Sequence, residues 1–311
     1  MTVSVSVLSE EPSPALDRKL TLNNQAEVDI MGRPDGKKLK NLGVEYLVGA
    51  HVMAERCDAM NMITIDLPEA PMKQYLNQKR KEGKRYSHLT LILAAMVRAF
   101  AEYPQLNRFV VNKRLYARNE ISVGMVVLKG GKIDGAGTTS KMKFPPDATV
   151  DEINEIIHDY IETNRKEEDV NATDKLANFL CSVPGLLRVA ANFVKWLDKH
   201  NWCPKAIIEA SPFHCSIMLT DLASIKTNSI HHHIYNFGTV SISLAMGNLR
   251  EVPVRKKGEV IFERCLPLGI VTDDRTASGN ILGLAFRRFQ KYLEHPEVLE
   301  LPPEKIVSEI D

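Results

Sequence analysis

Several features that would assign a chain to a functional class are missing or balanced out in these 311 residues. The 40 basic residues face 39 acidic ones, so the net charge is only +1. The composition therefore offers neither the positive field of a nucleic-acid-binding protein nor a polybasic membrane patch. No uninterrupted apolar run reaches the roughly 18 residues of a membrane-spanning helix. The N-terminal stretch MTVSVSVLSEEPSPALDRKL lacks the basic start and long apolar segment of a secretory signal.

Cysteine pairs and nucleotide-binding motifs are also missing. The five cysteines are scattered and include no Cys-x-x-Cys pair, so they support neither a zinc ribbon nor a disulfide framework. The glycines of GGKIDGAG do not form G-x-G-x-x-G and no helix pattern starts there, which favours a turn. We expect a cytoplasmic protein with no nucleic-acid partner, no metal site and no tightly bound cofactor.

What the sequence does contain is a mixture of strand and helix patterns without strict alternation. It predicts an α/β chain, in the form of an α+β two-layer sandwich whose mixed sheet has helices packed on one side. Ser87 is a plausible N-cap for a buried helix that reaches Phe100. The other predicted helices cover 69–84, 150–165 and 281–293, and the predicted strands cover 60–67, 108–116, 122–128, 215–219, 240–246 and 260–271.

The chain divides into a polar N-terminal arm (1–30) and a single domain (31–311) with a helical insertion at about 171–208. The insertion is rich in large apolar residues and predicts two helices broken at Pro184-Gly185. Three interpretations stay open: a helical pair packed on the domain or a neighbouring subunit, a lid over an acyl or aromatic substrate, and an interfacial membrane helix.

The stretch LPLGIVTDDRTASGN (266–280) reads as a buried strand, a polar loop and the start of a helix. It resembles the end of the chloramphenicol acetyltransferase-like fold, which is shared by the acyltransferase components of 2-oxoacid dehydrogenase complexes. In that family a strand runs into Asp-His-Arg-x-x-Asp-Gly, and here Asp273, Arg275 and Gly279 match. The stretches MNMITIDL, SHLTLILAAMVRAFAEYPQLNRFV and KKGEVIFERCLPLGIV extend the resemblance over about 47–299.

The chain is most similar to a stand-alone bacterial branch of that family, without a lipoyl or peripheral-subunit-binding domain. The resemblance implies a homotrimer whose channels lie between subunits. It also implies a coenzyme A thioester as acyl donor and a small molecule as acceptor. Both would be substrates rather than resident cofactors.

The chain departs from the family at the catalytic position, where Asp274 replaces the histidine that acts as general base. An exposed aspartate has a pKa near 3.9 and is a base too weak by about two to three units. The neighbouring Asp273 would raise the pKa of Asp274 by repulsion, whereas Arg275 would oppose that effect. Ser278 replaces the second family aspartate and is expected to cap the final helix.

A run of three histidines, His231, His232 and His233, offers a replacement base because imidazole titrates near neutral pH. The resemblance places this run near the mouth of the acceptor channel. On an extended backbone His231 and His233 share one face and His232 faces the opposite side. We predict that His232 or His233 acts with Asp274 in catalysis. Hydrogen-bonded structural histidines, or a metal site gathered on the trimer axis, are the alternatives.

The strand that follows Ser211 resembles the family strand bearing an oxyanion-stabilising hydroxyl. Direct register places Leu219 at that position, so Ser216 or Thr220 would substitute for it. Cys215 next to His214 is expected to be structural rather than a nucleophile. The predicted substrate-binding set is Ser216, Thr220, His231, Tyr235, Asp273, Arg275 and Ser278.

Two functions follow from this sequence. The first is a diverged acyltransferase that moves an acyl group from coenzyme A or a carrier thioester to a small acceptor at a trimer interface. The alternative is an inactive homologue that serves as a ligand-binding or scaffolding trimer. A different reaction on the same scaffold is a third option.

Overall fold

The structure is a computed structural model, and it describes residues 33–129, 137–165, 182 and 184–309. The predicted N-terminal arm, most of the turn at 130–137 and the first part of the insertion lie outside the described residues. Predictions about those segments stay predictions.

The described residues form ten strands and seven α-helices that occur in mixed order along the chain. In chain order they are β1 (Gly36–Lys38), α1 (Val44–Val52), β2 (Met60–Pro68), α2 (Glu69–Lys81), α3 (His88–Glu102), β3 (Arg108–Val111), β4 (Arg114–Arg118), β5 (Ile121–Leu128), β6 (Gly137–Phe144), α4 (Val150–Arg165), α5 (Leu186–Lys199), α6 (Lys205–Ala210), β7 (Ile217–Asp221), β8 (Ile242–Met246), β9 (Arg250–Lys256), β10 (Glu259–Asp273) and α7 (Gly279–Glu294).

The main sheet has the order β2-β10-β8-β7-β5-β6, and β9 pairs with the first half of the long strand β10. Strand β7 runs parallel to β5 and β8, whereas the other pairs are antiparallel, so the sheet is mixed as predicted. A second sheet of three short strands has the order β1-β4-β3.

Helices α2, α3, α4 and α7 share one hydrophobic core with one face of the main sheet, which confirms the predicted two-layer arrangement. Helix α3 is the centre of this core, since nearly all its residues are buried. Its start is fixed by a capping box in which Ser87 and Thr90 exchange backbone and side-chain hydrogen bonds. In β10, Leu268 and Ile270 point into this core, whereas Val271 belongs to a smaller cluster on the other face.

The predicted strand at 108–116 is a hairpin instead, because β3 and β4 pair across a turn at Asn112-Lys113. Both turn residues have positive φ (48° and 61°), a conformation that asparagine tolerates better than most residues. Helix α2 ends three residues earlier than predicted, and β9 and β10 pair across a turn at Lys257-Gly258. None of the described helices is long and apolar enough to cross a membrane.

Candidate active site

The end of β10 is organised by Asp273, whose carboxylate is completely buried. Arg275 binds both of its oxygens: Nε donates to Oδ1 at 2.8 Å and Nη2 donates to Oδ2 at 2.7 Å. The backbone N–H of Arg275 also donates to Oδ1, and the Thr276 hydroxyl donates to the Asp273 carbonyl. Asp273 and Arg275 therefore hold the turn between β10 and α7 in one conformation.

Arg56, which the sequence analysis did not single out, connects this turn with the histidine segment. Its Nε lies 3.5 Å from Asp273 Oδ2, and its Nη1 donates to the carbonyl oxygens of Tyr235 and Gly238 at 2.8 and 3.0 Å. Burial lowers the pKa of Arg56 to about 10, although the charge of Asp273 opposes this effect. No local motif marks Arg56, because its partners, which also include the Val110 carbonyl, come together only in the folded chain.

Asp274, in contrast to Asp273, is exposed. Its Oδ1 accepts a hydrogen bond of 2.6 Å from Asn61 Nδ2, and its backbone N–H donates to the Ala59 carbonyl. The turn between β10 and α7 thus gives the two adjacent carboxylates different environments. The Asp273 carboxylate stabilises the turn, and the Asp274 carboxylate faces outward. Ser278 occupies the N-cap position of α7 as expected, but its side chain makes no capping hydrogen bond.

The histidine segment (229–238) lies across the face of the main sheet that the helices leave open. The backbone of the segment can approach the sheet closely because the sheet has glycines at the points of contact. A Cβ on Gly247 would come within 2.2 Å of the Ser229 nitrogen, and one on Gly269 would come within 2.1 Å of the Ile230 oxygen. Since these glycines belong to the β8 end and to β10, the segment crosses the strands instead of pairing with them.

His231 is bound where the segment reaches the edge strand β2. Its Nε2 lies 3.2 Å from both the Ile63 carbonyl oxygen and Thr64 Oγ1. Thr64, Gly269, Ala245 and Thr220 are consecutive partners across four neighbouring strands, so Thr220 lies in the row that His231 reaches. Leu219 belongs to the main core and therefore lies on the face of the sheet that the helices cover. Because adjacent residues of a strand point to opposite faces, the Thr220 hydroxyl lies on the open face.

His232 and His233 stack on each other, with ring centroids 4.7 Å apart and planes inclined by 22°. The Tyr235 ring is edge-on to His233 at 4.7 Å. The alternation expected for an extended backbone does not hold, because residues 231–235 form no strand. His232 Nδ1 lies 2.9 Å from the His233 carbonyl oxygen. A carbonyl oxygen can only accept, so this contact places a proton on Nδ1, and in the neutral imidazole the lone pair is then on Nε2.

The remaining predicted residues are buried in the scaffold. Ser216 accepts a hydrogen bond from the Ser122 backbone N–H at 3.0 Å, so its hydroxyl fixes the start of β7. Burial raises the pKa of the Cys215 thiol to about 11, and this thiol donates to the Ile217 carbonyl. His214 contacts Ser211 and Asp198 instead of Cys215, which agrees with the expected structural role of the cysteine.

A second buried charge cluster joins the end of α5 to the body of the protein. Arg33 Nη2 donates to Asp198 Oδ1 at 2.7 Å and Arg33 Nε donates to Asp35 Oδ1 at 2.8 Å. Burial opposes ionisation of Asp198, but the neighbouring His214 imidazole and the Arg33 guanidinium hold its pKa at about 2.

The structure brings some candidates together and keeps others apart. Arg56 joins Asp273 to Tyr235. His231 contacts Thr64, which lies in the same cross-strand row as Thr220. Within the described part of one chain, no hydrogen bond or ion pair joins any of the three histidines to Asp273 or Asp274. The described residues also contain no group of three or more side chains that could hold a metal ion.

Comparison with known proteins identifies the fold. No protein-family model and no curated protein matches the sequence. The chain is similar in structure to a probable dihydrolipoamide acetyltransferase from Listeria monocytogenes 4b F2365, with a TM-score of 0.52 and 12% identity over 83% of this chain and 94% of that one. It is also similar to a truncated catalytic core of the 2-oxoacid dehydrogenase multienzyme complex from Thermoplasma acidophilum, with a TM-score of 0.51 and 14% identity over 84% and 99% of the two chains.

These similarities show that the chain has the fold of chloramphenicol acetyltransferase-like and 2-oxoacid dehydrogenase acyltransferase catalytic domains. The resemblance drawn from the sequence is thereby confirmed at the level of fold. At 12–14% identity the comparison defines the architecture, and the chemistry has to be argued from this chain's own residues.

Proposed function

We propose that the chain is a diverged acyltransferase. It transfers an acyl group from a thioester of coenzyme A, or of a carrier, to a small acceptor in a channel between subunits of a homotrimer. His232 is the general base, and Asp274 of a neighbouring subunit supports it.

The observation that carries this proposal is the hydrogen bond between His232 Nδ1 and the His233 carbonyl. Of the two neutral tautomers it selects the one with the lone pair on Nε2, which leaves that nitrogen available to accept a proton as a general base. His232 is only partly buried, so a substrate can reach it from the open face of the sheet. This contact also favours His232 over His233, between which the sequence alone does not choose.

In the proposed reaction the acyl group passes from the donor thiol to the thiol or hydroxyl of the acceptor. His232 Nε2 takes the proton of the acceptor thiol or hydroxyl while the acceptor attacks the thioester carbonyl. The tetrahedral intermediate then loses the donor thiol, which recovers the proton from the imidazolium. Thr220 is the proposed donor to the oxyanion, because it carries the half-buried hydroxyl of β7 on the open face.

Asp274 enters the proposal from a second subunit, because no bond joins it to the histidines within the described part of one chain. A carboxylate beside His232 would stabilise the imidazolium formed during the reaction. Asp273 and Arg275 then act as positioning residues, since their side chains bind each other. His231 and Tyr235 are proposed to line the channel.

Thiol release by the purified full-length protein tests this function. A panel of acyl-coenzyme A donors is combined with thiol, hydroxyl and amine acceptors, and free thiol is measured over time. We expect His232→Ala to lower kcat/KM by about 10²–10⁴-fold. His158→Ala is the matched control, because this exposed histidine of α4 pairs with Glu162 on its own helix. Thiol release that is unchanged by His232→Ala contradicts the assignment of the base.

A second candidate is a ligand-binding or scaffolding trimer without catalysis. It is favoured by the carboxylate at position 274 and by the Ser216 hydroxyl, which the backbone of Ser122 already occupies. Titration calorimetry with coenzyme A separates the two candidates. Binding without turnover of any donor supports the scaffold, whereas turnover excludes it.

A further inference from the structure

Helix α5 presents an apolar stripe to solvent. Val189, Phe193 and Trp196 are spaced by four and three residues, so they share one side of the helix. Their exposed fractions are 67%, 57% and 46%. Trp202, which follows the helix, is 64% exposed and packs edge-on against Trp196 with ring centroids 5.3 Å apart. Contiguous exposed apolar surface of this kind marks an interaction site.

The stripe faces outward because the opposite side of α5 is fixed to the body of the protein. Asp198 is buried and bound by Arg33 at 2.7 Å. Asn201, which follows the helix, donates from Nδ2 to the Tyr116 hydroxyl at 3.0 Å. These contacts set the rotation of α5 about its axis, so the apolar stripe is exposed in the folded protein.

The exposed part of α5 carries charge of one sign. Arg188, Lys195 and Lys199 are spaced by seven and four residues and form a second stripe beside the apolar one. Asp198 is the only acidic residue of the helix, and it is buried and paired. In a chain whose total charge is +1, this concentration of positive charge is a local feature.

We propose that α5 and Trp202 form an interfacial helix that binds an anionic phospholipid membrane. Aromatic residues on one face and cations beside them match the two layers of a membrane interface, acyl chains and phosphate groups. At 14 residues the helix is about 21 Å long, too short to span a bilayer but suited to lie in its plane. Two copies of the same patch would oppose each other through like charges, which disfavours a second copy as the occupant. This inference does not depend on the proposed acyl transfer.

The chain reports on this surface directly, because Trp196 and Trp202 are its only two tryptophans. Tryptophan emission of the full chain is recorded with vesicles of phosphatidylcholine alone and of phosphatidylcholine mixed with phosphatidylglycerol. Vesicle flotation measures the bound fraction. We expect a blue shift and flotation with the mixed vesicles, and at least tenfold weaker binding to phosphatidylcholine alone.

Two matched substitutions test the stripe itself. Val189→Asp and Val260→Asp change residues of the same type and the same 67% exposure, one on α5 and one on the β9–β10 hairpin. We expect Val189→Asp to weaken vesicle binding more than tenfold and Val260→Asp to leave it unchanged. Neutralising Lys195 by Lys195→Gln should weaken binding about fivefold, the usual effect of one charge near an anionic surface.

Several results would overturn the proposal. Equal binding to neutral and anionic vesicles removes the role of the cations. A buried-type tryptophan emission in buffer alone shows that another part of the chain already covers the stripe. A smaller oligomer for Val189→Asp than for the wild type, measured by light scattering, shows that the stripe is a contact between subunits. Circular dichroism of each variant verifies that the fold is retained.

Discussion

Asp273 and Asp274 are adjacent carboxylates in opposite environments, and substituting each by asparagine gives a sharp test of the turn after β10. Asp273 is completely buried and is bound by the guanidinium groups of Arg275 and Arg56. Asp274 is exposed and bound to Asn61. Asparagine keeps the volume of aspartate, so the two variants differ from the wild type mainly in charge.

Asp273→Asn leaves two buried guanidinium groups without their anion. The substitution also replaces one carboxylate oxygen by an NH2 group, which cannot accept. Since Arg275 donates to both oxygens, at 2.7 and 2.8 Å, at least one of these hydrogen bonds is lost. Removing one partner of a buried ion pair costs about 3–5 kcal/mol. Asp274→Asn should cost less than about 0.5 kcal/mol, because surface substitutions without buried partners have small effects.

Urea unfolding followed by far-UV circular dichroism measures both free energies of unfolding. The protein concentration is kept constant, because dissociation of subunits would make the apparent stability depend on it. The double variant Asp273→Asn/Arg275→Met should be less destabilised than the sum of its single variants, since the two residues interact directly. If Asp273→Asn costs no more than Asp274→Asn, the buried ion pair is not what stabilises the turn.

Two further predictions concern the supports of the candidate site and of α5. Asp198 has a pKa of about 2 in the folded protein, against 3.8 for the free side chain. Its ionised form therefore stabilises the fold by about 2 kcal/mol above about pH 4. This stabilisation is lost as the pH falls towards 2. Asp198→Asn should remove this loss from a series of unfolding curves between those pH values, and an unchanged slope would contradict the role of Arg33. Gly269→Ala should destabilise the protein by about 1–3 kcal/mol, because its Cβ would meet the Ile230 oxygen at 2.1 Å. Gly283→Ala in α7 meets nothing within 4 Å and should stabilise it by roughly 0.5–1 kcal/mol; equal effects of the two variants would contradict the close crossing.

The candidate site is an example of what sequence patterns leave open. The histidine run, the two adjacent aspartates and Arg275 were recognisable from the sequence as chemistry-bearing groups at a strand end and in a loop. Arg56, Asn61 and Thr64 were not, since each acquires its role from a partner more than 100 positions away in the chain.

The sequence by itself predicted the main helices and most strands of the large sheet in their order, but it did not predict β1, α1 or β6. Helical and strand periodicity depends on local burial, which is why α3 with its Ser87 cap and the inward side of β10 follow from residue pattern alone. Only the tertiary structure decided which aspartate is buried, how the histidine segment crosses Gly269, and which side of α5 faces solvent. These depend on contacts between distant segments, where packing and electrostatic pairing override local preference.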